Sequence, residues 1–173
     1  MKNWKKSIKW LYLLILIILA FAYYKGALDL KLITENQFNI ITVNTVFSGF
    51  LFTSLGIIAG FSNNTSIRKF ERISTMDKIY KCILKGLIFS VLSSIVALII
   101  ALFDFNFIIG NRYIYNILKS IGYISELFFL AMTIIYFSFS VKNTFFAISV
   151  VRADIKSKIP NKEETQKILN KIK

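Results

Sequence analysis

Apolar residues along this chain fall into four long runs, broken by short stretches that hold nearly all of the charge. Such runs differ from the pattern of a water-soluble helix, where a polar face interrupts every turn. The first run covers about residues 7–24, with an uncharged core at 10–24. The second lies within an uncharged stretch from Asn36 to Ile67 and is centred on 39–61. The third covers 82–103, with Lys85 reaching back to the interface along its aliphatic stem. The fourth covers 118–142 and carries one acid, Glu126. Each approaches or exceeds the roughly 20 residues that a membrane-crossing helix needs. The fold class this predicts is an all-α membrane protein with four transmembrane helices and short amphipathic cytosolic helices. Its expected organisation is a four-span bundle over 1–145 and a basic cytosolic helical tail over 146–173.

Basic residues set the direction of the spans, because Lys and Arg beside a span end favour the cytosolic side. Eighteen of the 22 Lys and Arg fall in the N-terminal segment, in the 62–81 stretch with Lys85, or in the tail. Only Lys25, Lys31, Arg112 and Lys119 fall on the opposite side. The expected topology is therefore N-in/C-in in the inner (cytoplasmic) membrane. Trp4, Trp10, Tyr23, Tyr24, Tyr113, Tyr115 and Tyr123 stand near span ends, where interfacial aromatics belong. The early lysines, the apolar run and Ala20-Phe21-Ala22 also fit a secretory signal cleaved after Ala22. Cleavage would leave three spans with the same tail orientation; the expectation keeps the first helix.

The loops and tail supply the surfaces outside the membrane. The outer loops, about 25–39 and 104–116, are too short for a folded ectodomain. In the inner loop, Ile67, Phe70 and Ile73 recur at helical spacing among Arg68, Lys69 and Arg72, which predicts a short amphipathic helix. Ser74-x-x-Asp77 then reads as a capping box that opens the next helix near Thr75. Beyond 141 a helical pattern continues through Phe145, Ile148, Val151, Arg152, Ile155, Lys156 and Lys158 until Pro160 interrupts it. Asn161 with Glu164 caps a last helix whose apolar face is Ile168, Leu169 and Ile172. These positions are the expected contacts with anionic inner-leaflet lipid or with a cytosolic protein partner.

Composition narrows the chemistry. The chain of 173 residues is 55% hydrophobic and carries a net charge of +13 with nine acids. On a soluble domain that charge would suggest nucleic acid. Here it follows topology, and no motif of interleaved basic and aromatic residues supports direct nucleic-acid binding. There is no His, and Cys82 is the one Cys. That removes His-based acid–base catalysis, intrachain disulfides and His-bearing zinc sites. No cofactor, no metal and no enzymatic activity are expected. An aspartyl dyad would need Asp104 to meet Glu126 in a hydrated cleft. Cys82 reads as a small packing residue, with acylation near the inner interface as the alternative.

Three spans carry lines of small and polar residues at steps of three and four, which keep them on one helix face. In the second span the line is Thr42, Thr45, Gly49, Thr53, Gly56 and Gly60. In the third it is Gly86, Ser90, Ser93, Ala97 and Ala101, and in the fourth Gly122, Glu126, Thr133, Ser140 and Thr144. The first span lacks such a line and should face lipid over much of its surface. Helix packing explains each line taken alone; a hydrated path in an oligomer is the competing explanation. Three lines in a four-span chain favour a homo-oligomer. Glu126 is the foremost candidate, because a carboxylate inside the membrane must face protein or water. Lys119 as its partner through water, or a Ser or Thr bonded to its neutral form, are the expected settings.

The stretch Asn44-Thr45-Val46-Phe47-Ser48-Gly49-Phe50-Leu51-Phe52-Thr53-Ser54-Leu55-Gly56 resembles a span of small four-helix membrane proteins from bacterial defence islands. It is most similar to the membrane subunit of Kiwa-type anti-phage systems. That resemblance implies an oligomeric inner-membrane sensor or scaffold that recruits a cytosolic partner acting on phage DNA; it transfers no catalytic residue. The alternative is a homo-oligomeric ion channel or membrane-disrupting effector with Thr45, Thr53 and Glu126 facing water. A small proton-coupled transporter ranks third, since such transporters keep their key Glu in the first span.

Overall fold

A computed structural model describes residues 2–61, 63, 67, 75–102 and 112–158. All the regular structure among them is helical. Helix α1 is Lys2–Tyr24, α2 is Leu30–Glu35, α3 is Gln37–Gly60, α4 is Thr75–Leu102 and α5 is Arg112–Lys158. Three of these are long and apolar enough to cross a membrane, α3, α4 from Met76 and α5 from Tyr113. The apolar part of α1, Lys9–Tyr24, is shorter. The fold is that of a helical membrane protein.

Local chemistry explains where the helices stop and start. Gly26 ends α1 with a positive φ of 68°, a conformation that costs glycine nothing. Its amide donates to the Tyr23 carbonyl at 3.0 Å and that of Ala27 to Ala22 at 2.9 Å, the paired closure of a Schellman end. Asp29 then caps α2, its side chain accepting from the Lys31 and Leu32 amides at 2.9 and 3.2 Å. This short helix falls in the segment 25–39 expected as a plain loop. Asn36 separates it from α3, and the Ile40 amide already bonds back to the Asn36 carbonyl at 3.1 Å.

Helices α3, α4 and α5 form the core, with α4 in extensive contact with both of the others, while α1 leans chiefly on α5. The inward faces of α3 and α4 follow a seven-residue repeat. On α4 the buried positions are Met76, Ile79, Ile83, Gly86, Ser90, Ser93 and Ala97, alternating steps of three and four. On α3 they include Gln37, Asn44, Leu51 and Ile58, each at most 1% exposed. Such spacing keeps one seam against a neighbour when helices cross at a shallow angle. At the end that carries the α3–α4 connection, Leu51, Ile58, Ile67, Met76, Ile79, Ile83, Ala147 and Val151 pack as one apolar cluster. Helix α5 runs unbroken through 145 and 146, and its 47 residues make it about 70 Å long at 1.5 Å per residue. It outreaches a hydrocarbon layer of about 30 Å, and its Ala147 and Val151 are packed in the cluster.

Gly86 lies at a junction of three helices. A Cβ there would sit 3.0 Å from Leu51 Cδ1 on α3 and 3.1 Å from Tyr136 Cβ on α5. Beside it, Phe89 stacks on Tyr136 with ring centroids 5.7 Å apart. Tyr12 joins this group edge-on against Phe89, and its hydroxyl bonds to that of Tyr136. A second tie of α1 runs from the Tyr23 hydroxyl to Ser120 Oγ at 2.6 Å. Along the apolar part of α1, Leu13, Leu14, Leu16, Ile17, Ile18 and Phe21 are exposed, a surface that suits the lipid contact expected of this helix.

Candidate functional site: a buried polar cluster between three helices

The line of small residues on α3 faces outward. Thr42, Thr45, Gly49, Thr53, Gly56 and Gly60 are all exposed. A Cβ added at Gly49, Gly56 or Gly60 would meet nothing within 4 Å. The hydroxyls of Thr42, Thr45 and Thr53 bond to carbonyls four residues earlier in their own helix, at 2.8–2.9 Å. The stripe of the second span thus lies outside the core that α3, α4 and α5 form. The physical reason is that α3 is nearly as apolar on one face as on another, so small side chains alone cannot orient it. Two of its three amide side chains, Gln37 and Asn44, turn inward to partners on the other helices, while the third, Asn39, is exposed and bonds Asn36. Thr45, Gly49, Thr53 and Gly56, with Leu87 and Val91 of α4, line a shallow open groove on the outside of the bundle.

The lines on α4 and α5 do face the core. Ser90, Ser93, Glu126, Thr133 and Ser140 are fully buried and Thr144 is 6% exposed; Ala101, by contrast, is exposed. From these residues and the two α3 amides a connected polar cluster is built. Gln37 Nε2 donates to Glu126 Oε2 at 3.1 Å, and also to the Ile33 carbonyl of α2 at 3.1 Å. Asn44 Nδ2 donates to Ser93 Oγ at 2.9 Å, and Ser93 Oγ to the Glu126 carbonyl at 3.3 Å. Ser90 Oγ donates to the Asn44 carbonyl at 2.7 Å, while Ser48 Oγ donates to Ser90 Oγ at 2.8 Å. Thr133 instead satisfies itself on the Phe129 carbonyl at 2.9 Å.

Glu126 therefore has a different partner from those expected. Neither Lys119 nor a hydroxyl side chain bonds its carboxyl group; the amide of Gln37 does. Lys119 is drawn aside because two aromatic faces lie closer to hand. Its ammonium sits 5.7 Å from the Tyr115 ring centroid and 5.8 Å from that of Tyr123. Tyr123, expected near a span end, is fully buried within the subunit, and its hydroxyl bonds to Thr34 Oγ1.

Three oxygens in the cluster lack a donor: Gln37 Oε1, Asn44 Oδ1 and Glu126 Oε1. Further along α5, Ser140 Oγ and Thr144 Oγ1 are likewise buried without a partner. Among the described residues no three His, Cys, Asp or Glu side chains come together to hold a metal ion. What the cluster does hold is helix register, because each bond ties a side chain on one helix to a fixed point on another. Gln37, Asn44 and Ser48 are members that none of the sequence's stripes singles out. Gln37 stands seven residues before Asn44, and Leu51 and Ile58 continue that spacing, which is the signal the sequence offers for the first two.

The cytosolic contact candidates are only partly visible. Arg152 and Lys156 are exposed on the last turns of α5, beside exposed Phe145 and Ile155. Lys158 closes that helix. Arg68, Lys69, Arg72, Ile168, Leu169 and Ile172 lie outside the described residues, as do Ser74, Asp104 and Pro160. Cys82 is half-buried at the edge of the apolar cluster's end of α4. Compared with known proteins, the chain matches no family model, no curated sequence and no solved structure.

Proposed function

We propose that the protein is an oligomeric scaffold or sensor of the inner membrane that recruits a cytosolic partner, in anti-phage defence as the Kiwa resemblance implies. In this arrangement four helices cross the membrane, with both termini in the cytosol. The observation that carries the proposal is the outer face of α3. Six small or hydroxyl positions along this face are left uncovered by the described helices, and the segment that resembles the Kiwa subunit includes four of them. Bare glycine backbone lets a second helix approach closely in lipid, where close packing replaces the hydrophobic drive. The threonine hydroxyls on this face are already bonded to their own backbone. They therefore cost a partner helix no unmet hydrogen bond. A second copy of the same face is the natural occupant, since a twofold contact sets like against like.

The partner-binding end is the continuation of α5 past the membrane. Arg152 and Lys156 project from it, and the basic residues of the inner loop and tail belong to the same side. They also suit anionic lipid headgroups, at about 1 kcal/mol for each Lys or Arg near the surface. The channel alternative loses support, because its water-facing residues do not share a surface. Thr45 and Thr53 face outward from α3 while Glu126 is enclosed in the core.

The test is the mass and composition of the complex released from native membranes in mild detergent. Several copies of the chain with a stoichiometric cytosolic protein are expected. Removing residues 161–173 should release that protein and leave the oligomer intact. A bare monomer would overturn the proposal.

A further inference from the structure

The unmet oxygens of Gln37 and Glu126 belong to two side chains that already touch. Both residues are at most 1% exposed. Gln37 has two amide hydrogens and both are used, one on the Ile33 carbonyl and one on Glu126 Oε2. Its Oε1 has no donor, and neither has Glu126 Oε1. Exchanging the amide oxygen and nitrogen of Gln37 would aim an acceptor at two other acceptors, so the orientation is set by its neighbours. The result is two buried acceptors with nothing to accept from, one on each of two side chains already joined by a hydrogen bond.

Among the described residues no group cures this. The hydroxyl of Ser93 is committed to the Glu126 carbonyl, and that of Ser90 to the Asn44 carbonyl. Helix α3 contains no charged residue. On α5, Lys119 lies seven residues away over the Tyr115 and Tyr123 rings, and Tyr123 spends its hydroxyl on Thr34. On α2, Lys31 and Glu35 are exposed and pair with each other at 3.9 Å. On α4, Lys85 is eight residues from Ser93 with its ammonium over Tyr136, and on the α1 side Lys25 lies over Phe21. An ionised Glu126 would thus have one neutral amide as its side-chain donor, the setting in which a buried charge is most costly.

A carboxylic acid and a primary amide each offer one donor edge and one acceptor edge. We propose that Gln37 and Glu126 form a proton-binding site, in which one proton on Glu126 Oε1 is donated to Gln37 Oε1 and closes the start of α3 onto α5. That single proton turns two unmatched acceptors into a donor and its acceptor. Losing it to water would set two oxygens against each other and leave a bare charge in the core. Since Gln37 also holds the Ile33 carbonyl, the proton bears on how α2 seats over this end of the bundle. The site stands independently of how the chain assembles.

Infrared absorption of the full-length protein in lipid at pH 7 tests it. Ordinary carboxyl groups are ionised there, so a protonated-carboxyl carbonyl band reports a held proton. The expected result is one such band that moves on exchange into heavy water. It should vanish in Glu126→Gln and change frequency in Gln37→Leu. Gln37→Asn, which keeps the amide but shortens its reach, supplies a second variant with the same expected shift. Absence of the band from the wild-type protein, a measurement that needs no variant, would overturn the site. So would a band that survives Glu126→Gln. A band unmoved in either properly folded Gln37 variant would overturn the pairing.

Discussion

At the scale of single residues, the cost of an unmet hydrogen bond explains more than charge does. Glu126 is buried, yet what it bonds is an amide, and the amide in turn bonds a backbone carbonyl one helix away. Glu126→Gln retains both an acceptor for Gln37 Nε2 and a donor for Gln37 Oε1, so it should leave the melting temperature almost unchanged. Glu126→Ala strands the Gln37 amide in the core and should lower stability by about 1–3 kcal/mol, the penalty of an unsatisfied buried polar group. Thermal unfolding of both variants in one detergent checks this. Equal losses for the two would mean that the carboxyl group itself, and neither side-chain size nor an amide's donor and acceptor, matters at 126.

At the scale of elements, two kinds of contact hold the helices together. The core helices meet through close packing, while α1 is tied on by tyrosine hydroxyls and a ring edge. Leu51 lies fully buried between the helices and touches the Gly86 position. Leu51→Ala should cost about 2–5 kcal/mol, as large-to-small changes in a tight core do. Tyr12→Phe keeps the ring and loses one hydroxyl, so about 0.5–1.5 kcal/mol is expected. A melting series with both variants checks the ranking; a larger loss for Tyr12→Phe would make α1 part of the core.

At the scale of the whole molecule, the glycines divide into two classes that sequence pattern does not distinguish. Gly86 fills a junction where an added methyl would press on Leu51 and on the Cβ of Tyr136. Gly86→Ala should therefore destabilise the subunit by about 1–3 kcal/mol, the usual result of overpacking. Gly56 opens onto free space. Gly56→Leu should leave subunit melting near wild type and reduce the mass of the native complex. Melting and native mass measured on the same samples separate the two effects. Loss of subunit stability in Gly56→Leu with no change in mass would show that the α3 face is not where copies meet.

Much of this architecture is legible without a structure. Runs of apolar residues determine the helices, since a backbone in lipid must satisfy its own hydrogen bonds. The residues Gly86, Ser90, Ser93 and Ala97 share one buried face, as do Glu126, Thr133, Ser140 and Thr144, because helical spacing is a local property. Ala101 at the end of the first line is exposed, and Gly122 at the start of the second is part-buried. Which face of α3 turns inward was not legible. Its apolar residues surround it almost evenly, and in lipid no hydrophobic gradient turns a helix one way. That choice came from Gln37 and Asn44 meeting Glu126 and Ser93, residues 89 and 49 positions away. The partner of Glu126 followed from the same docking. The sequence by itself thus determined the helices and the seams on α4 and α5. Only the tertiary structure decided the rotation of α3, because that depends on fitting polar groups between helices far apart in the chain.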